Sequence, residues 1–141
     1  MKMLGPFLSN SAEDTFFLGE ELGRELLNGD VVILCGNLGS GKTTFTKGIA
    51  KSLGIPNEII SPTFTILREY HAPHCSLVHI DMYRIESEDE LENVGIDEIF
   101  EGNSIVVIEW NKKSIIKSKR LIKVSIEVIN DISRRIIINY E

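Results

Sequence analysis

The chain has 141 residues, of which 43% are hydrophobic and 26% charged, with a formal net charge of −6 at pH 7. That is the balance of one soluble α/β-sized domain, residues 1–141, and its acidity speaks against nucleic acid as a direct general partner. No apolar run approaches the roughly 20 residues of a membrane span, the N-terminus lacks an apolar signal core, and two isolated cysteines (Cys35 and Cys75) form no disulfide framework, so no membrane association and a cytoplasmic location are expected.

In chain order, Phe7 and Leu8 end a short first strand. Ser11-Ala12-Glu13-Asp14 is an S-x-x-[DE] helix start, with its acids where the helix dipole favours them. Phe16, Leu18, Leu22 and Leu26 continue an amphipathic helix, and Asn28-Gly29 is its expected end. Val31-Val32-Ile33-Leu34-Cys35 then reads as a buried strand leading into Gly36-Asn37-Leu38-Gly39-Ser40-Gly41-Lys42-Thr43-Thr44.

This stretch fits G-x-x-x-x-G-K-[ST] at every fixed position, and the pattern carries a mechanism. Glycines let the backbone turn tightly and approach a ligand. Amide groups of the loop and of the next helix's first turn converge on one anion, where the helix dipole adds positive charge. Lys42 supplies a full charge for the β- and γ-phosphates, Thr43 a hydroxyl for Mg²⁺, and Thr44 a further phosphate contact. The helix from Lys42 to Leu53 places Phe45, Ile49, Ala50 and Leu53 on one face, and Gly54 and Pro56 stop it.

Ser61-Pro62-Thr63-Phe64 begins an extended segment, and residues 63–70 read as a strand. Thr63 sits in a loop able to fold over a γ-phosphate, where a hydroxyl would sense that group. After a turn at residues 71–74, Leu77-Val78-His79-Ile80 forms an antiparallel partner strand ending at Asp81. Ser87-Glu88-Asp89-Glu90 starts the next helical segment, with Leu91, Val94, Ile96, Ile99 and Phe100 as its apolar residues. Ile105-Val106-Val107-Ile108 has the continuous apolar character of a central parallel strand, and ends at Glu109-Trp110. Residues 121–129 and 134–140 flank Asn130-Asp131 as a terminal β-hairpin.

Ligands of open α/β sheets bind at the C-terminal ends of strands. Three apolar strands end informatively here: one in the phosphate loop, one at Asp81, one at Glu109. A nucleoside triphosphate needs Mg²⁺ held by the loop hydroxyl and by carboxylates, and a group that orients the attacking water. Asp81 and Glu109 are the acids placed for these tasks.

GNLGSGKTT, SPTF at residues 61–64, HIDMYR at 79–84, ELENVGIDEIF at 90–100 and IEW at 108–110 together resemble the TsaE (YjeE-type) family, in order, spacing and overall length. The resemblance implies a P-loop NTPase-like three-layer α/β sandwich with a mixed central sheet and the C-terminal hairpin. It implies an ATPase with ATP and Mg²⁺ as cofactors, supporting threonylcarbamoyladenosine formation in tRNA beside the partner subunits TsaB and TsaD, with tRNA touched only indirectly. By carry-over, Lys42 and Thr43 bind triphosphate and Mg²⁺, Thr63 is switch-like, Asp81 is the Walker-B-like acid, Glu109 is the second acid near the metal, and Trp110 borders the nucleotide. The catalytic set implied is Lys42, Thr63, Asp81 and Glu109, and the metal set Thr43, Asp81 and Glu109. The chain departs from the family pattern after the tryptophan, at Asn111-Lys112-Lys113, and Arg134 of the hairpin is a candidate for approaching the nucleotide.

Other readings compete. Asn111-Lys112-Lys113-Ser114 resembles the guanine-reading N-K-x-D of GTPases, but Ser114 lacks the charge that accepts the guanine N–H groups. A small-molecule kinase needs an arginine-bearing lid and a substrate domain, for which the chain is short. A nucleotide-gated adaptor with little turnover overlaps the family reading, and partner-stimulated hydrolysis separates the two. His71, His74, Cys75 and His79 match no standard zinc spacing. Charge is uneven, with eight acids and no base in residues 86–101, and six bases and no acid in residues 111–123. Both stretches suit solvated faces or docking surfaces, and the basic one is a candidate for touching tRNA held by partners.

Overall fold

A computed structural model describes residues 5–37, 39–62, 67–82, 95–109 and 120–140. The uninterrupted apolar runs of the sequence become the middle of its sheet. Strand β2 (Val31–Cys35) lies between β5 (Ile105–Glu109) and β6 (Leu121–Val128), parallel to both, and β4 (Ser76–Asp81) is parallel to β5 on the far side. Strands covered on both faces have no solvent side to alternate towards, which is why β2 and β5 are almost wholly buried along their length.

Antiparallel strands flank this centre. β3 (Leu67–His71) pairs with β4, β7 (Arg134–Tyr140) with β6, and β1 (Phe7–Ser9) with β7. The order is β1-β7-β6-β2-β5-β4-β3, a seven-stranded mixed sheet that includes the expected terminal hairpin. That hairpin turns at Asn130, whose side-chain oxygen accepts from the amides of Ile132 and Ser133.

Helices α1 (Ala12–Glu25) and α2 (Lys42–Ser52) cover one face of the sheet. There Leu22, Phe45 and Ile49 pack with Val32, Leu34, Val107, Val124 and Ile138 in the larger core cluster. On the other face, Ile99 and Phe100 of α3 (Ile96–Glu101) pack against Val31, Ile33, Ile80, Val106 and Ile108. The architecture is the expected three-layer α/β sandwich.

Two local features differ from what periodicity suggests. α1 ends at Glu25 rather than at Asn28-Gly29, because Leu26 turns extended and buries itself in the core. Asp30 secures the connection to β2 by accepting from the Leu27 amide at 2.8 Å, and Arg120 pairs with it at 3.1 Å. The contact between α1 and α2 is made by backbone as well as by large apolar side chains. A Cβ on Gly19 would collide with the carbonyl of Phe45, and one on Gly48 with that of Phe16. A Cβ on Gly23 would likewise meet Ser52, so the two helices lie close along most of the length of α2.

Candidate nucleotide site

The loop that follows β2 is built for close backbone approach to a ligand. Gly39 and Gly41 have φ of 79° and 111°, a region that side chains with a Cβ rarely adopt. Gly41 is the N-cap of α2 and no side chain caps that helix, so the helix start presents its amides to the loop's interior. Ser40 is buried, and its hydroxyl has no hydrogen-bond partner among the described residues.

Lys42 folds back across the loop. It is 5% exposed, and its ammonium donates to the carbonyls of Gly36 at 2.7 Å and Asn37 at 3.4 Å. Burial pushes its pKa below the ordinary lysine value, opposed by the nearby charges of Glu109, Asp81 and Cys35. The side chain thus lies between the loop and the two acids singled out from sequence.

Those acids are brought together by strand register. Asp81 at the end of β4 pairs with Glu109 at the end of β5, and Leu34, one residue before the end of β2, pairs with Glu109 from the other side. Asp81 is 6% exposed and Glu109 3%. By strand alternation both carboxylates point to the face that carries α1 and α2, the side from which the loop springs. Glu109 also accepts a 2.6 Å hydrogen bond from Nε2 of His79, which is fully buried.

From the opposite side of the loop, Arg134 at the start of β7 donates through Nε to the carbonyl of Ser40 at 2.9 Å and through Nη2 to that of Gly39 at 3.4 Å. A cleft of about 340 Å³ opens here. Its walls are the start of α1 (Ser11, Thr15), the loop and first turn of α2 (Gly41, Thr44), and the hairpin (Ile132, Arg134). Ser133 Oγ lies 3.0 Å from Asn10 Oδ1 and ties the hairpin to the chain entering α1. Ser11 Oγ caps α1 by accepting from the Asp14 amide, and the Asp14 carboxylate answers by accepting from the Asn10 amide rather than from Ser11's own.

A family model for threonylcarbamoyl adenosine biosynthesis protein TsaE matches residues 9–136, which enclose the loop, both acids and the hairpin arginine. The chain belongs to the TsaE family. A Treponema pallidum protein named tRNA threonylcarbamoyladenosine biosynthesis protein TsaE is 41% identical over 130 residues, 92% of this chain and 96% of that one. The protein of the same name from Aquifex aeolicus is 39% identical over 115 residues, 80% of this chain and 81% of the other. The crystal structure of YdiB from Bacillus subtilis superposes with a TM-score of 0.76 at 31% identity, covering 98% of this chain and 87% of YdiB.

Of the residues expected at the site of this TsaE-family chain, the structure gathers Gly36, Asn37, Gly39, Ser40, Gly41, Lys42, Thr43 and Thr44 in one loop-and-helix start, with Asp81 and Glu109 beside it. Leu38, Thr63 and Trp110 lie outside the described residues, as do 111–119 of the basic stretch and most of the acidic one. Arg120 of the basic stretch has a structural task, donating to the Glu25 carbonyl at 2.9 Å besides pairing with Asp30. The histidines of the zinc alternative are spread along a hairpin, with His71 opposite Ser76 and His79 opposite Arg68.

Sequence reasoning named two residues without finding what they hold: His79 and Arg134. His79 entered only through a motif and the zinc alternative, although a lone histidine inside an apolar strand, two positions before an acid, shares that acid's face. The grip of Arg134 on the loop carbonyls had no sequence signal beyond its place at a strand start.

Among the described residues no helix is long and apolar enough to cross a membrane, and no cluster of three or more His, Cys, Asp or Glu could hold a metal ion unaided. The donor set still fits Mg²⁺, which keeps several waters and is bound through one or two carboxylates together with substrate phosphates. Thr43, Asp81 and Glu109 supply a hydroxyl and two carboxylates of that kind.

Proposed function

We propose that the chain is an ATP-binding and ATP-hydrolysing subunit that depends on Mg²⁺ and supports threonylcarbamoyladenosine formation in tRNA, acting with TsaB and TsaD. The observation that carries this is the convergence of the Lys42 ammonium, the Asp81 and Glu109 carboxylates and the uncapped start of α2 at one end of the sheet. Few ligands other than a metal-bound polyphosphate need amide donors, a buried cation and paired acids together.

The residues divide the work as follows. Loop amides and Lys42 bind the β- and γ-phosphates and stabilise charge that grows on them during transfer to water. Thr43, Asp81 and Glu109 would hold the metal. When bound, Mg²⁺ neutralises phosphate charge. Whichever acid is not engaged directly can orient the attacking water. Thr44 directs the α-phosphate towards the cleft at the start of α1, whose volume and mixed lining suit a nucleoside. Ile132, 69% exposed at the cleft's mouth, offers an apolar surface for the base. Thr63 and Trp110 complete the reading as the γ-phosphate sensor and the residue bordering the nucleotide.

The chain's single tryptophan makes the test direct. Trp110 fluorescence is titrated with ATP, ADP and GTP in the presence of Mg²⁺, and phosphate release is followed with and without TsaB–TsaD. A response to adenine nucleotides and hydrolysis stimulated by the partners are expected. A preference for GTP, or nucleotide binding with no hydrolysis under any of these conditions, overturns the reading.

A further inference from the structure

We infer that His79 is a positioning residue for Glu109: its Nε2–H holds one carboxylate oxygen and so commits the other to the metal and phosphate end of the loop. The inference rests on the preceding reading that Glu109 works at that end.

The contact is short and dry. His79 Nε2 and Glu109 Oε2 are 2.6 Å apart, with side chains 0% and 4% exposed. A charge-assisted hydrogen bond of this length, in a place water does not reach, constrains the carboxylate far more than a surface pair would. It also runs across strands. His79 lies opposite Val107 in the parallel ladder, so its ring reaches one step along β5, diagonally, to Glu109.

The surroundings argue against a packing role. Leu77 precedes His79 on the same face of β4, and Ile105 and Val107 precede Glu109 on β5; all three belong to the apolar core. An aliphatic side chain would continue that strip at no polar cost. The imidazole instead buries a second nitrogen, and Nδ1 has no hydrogen-bond partner among the described residues. Burying a polar atom unpaired costs stability that packing alone does not return. The neutral tautomer with hydrogen on Nε2 keeps this cost smallest: it donates to the carboxylate and leaves only a lone pair, not an N–H, unmatched at Nδ1. The ring is therefore kept for what Nε2 does, and what it does is fix Glu109.

The consequence is general for acids that serve a metal. Ligating carboxylates are themselves hydrogen-bonded, and losing such a partner misorients the ligand without removing it. Here the partner comes from the strand that also ends in Asp81, so both acids are set by two neighbouring strands and share one rigid support.

The test compares His79→Leu, His79→Gln and Glu109→Gln in the full chain, with ATP hydrolysis measured beside TsaB–TsaD. Binding of Mn²⁺ to the ATP complex is measured separately by electron paramagnetic resonance. Loss of an outer partner of this kind costs about 10–100-fold, so His79→Leu is expected to lower kcat and weaken Mn²⁺ binding by that order while KM for ATP moves by less than about threefold. Glutamine can place its own Nε2 near the same oxygen and is expected to restore both quantities to within about fivefold of the parent. In the Glu109→Gln background, His79→Leu should add nothing further. A folded His79→Leu variant with unchanged kcat and Mn²⁺ affinity overturns the inference, provided Glu109→Gln is impaired. So does a glutamine variant as impaired as the leucine one. If Glu109→Gln itself leaves hydrolysis and Mn²⁺ binding intact, the role of Glu109 falls first, and the role of His79 with it.

Discussion

The centre of the sheet and its hairpin flank serve the same loop in opposite ways. β2, β5 and β4 are buried on both faces and put charge only at their ends, where Asp81 and Glu109 meet the loop. β6 and β7 alternate between core and solvent, and β7 reaches in with one long side chain, Arg134, to grip loop carbonyls. An interior strand cannot carry a charge along its length without an unpaired burial cost. Acids therefore collect where the strands run out. A half-exposed strand can carry arginine at its outward positions and its ends, so it can clamp a neighbour's backbone without taking part in chemistry.

The contrast predicts a graded series. Lys42→Ala removes the cation that faces both central acids, and ATP affinity measured by calorimetry should fall about 100-fold, since charge-assisted contacts of this kind contribute a few kcal/mol. A loss below fivefold would mean the loop amides suffice. Gly48→Val attacks the support behind the centre, because its side chain meets the Phe16 carbonyl on α1. Urea unfolding should show a loss of about 2–3 kcal/mol, as overpacking against backbone does; no loss would mean that the helices separate freely. Arg134→Ala leaves the centre intact and loosens only the clamp, so ATP affinity should drop about tenfold, the worth of one or two hydrogen bonds. Arg135→Ala is the control on the next residue. Arg135 meets Glu127 across the exposed side of the hairpin, and its loss should change stability by less than about 0.5 kcal/mol and leave ATP affinity alone. Equal effects at Arg134 and Arg135 would erase the distinction drawn between clamp and surface.

What the sequence made legible follows the same division. The phosphate loop and the strands of the centre are local signals: glycines at fixed intervals, apolar runs, acids where the runs stop. Residues 105–108 could be read as a central parallel strand because nothing in them is polar. The hairpin was equally plain from Asn130-Asp131 between two alternating stretches. Relations between strands were not legible. Nothing local to Arg134 says that Ser40 is its partner, and nothing local to His79 says that β5 lies beside β4 with Glu109 one step away. The close crossing of α1 and α2 was hidden for another reason. Periodicity counts large apolar residues, and Gly19 and Gly48, which set the separation, carry no side chain to be counted.

The clamp has a bearing on how the protein is made. Arg134 and the carbonyl it holds are 94 residues apart in the chain. A ribosome delivers the glycine loop well before its brace, and a domain generally folds as a unit once its parts are made. On a nascent chain that has passed Thr44 but not yet reached the hairpin, β2 lacks its neighbour β6 and the cleft lacks its outer wall. On the proposed function, tight nucleotide capture would wait for the hairpin to close, and the ligand would act as a staple between two stretches distant in the chain. Bound nucleotide should therefore slow hydrogen exchange in β7 as well as in the loop, although the two are made far apart in time.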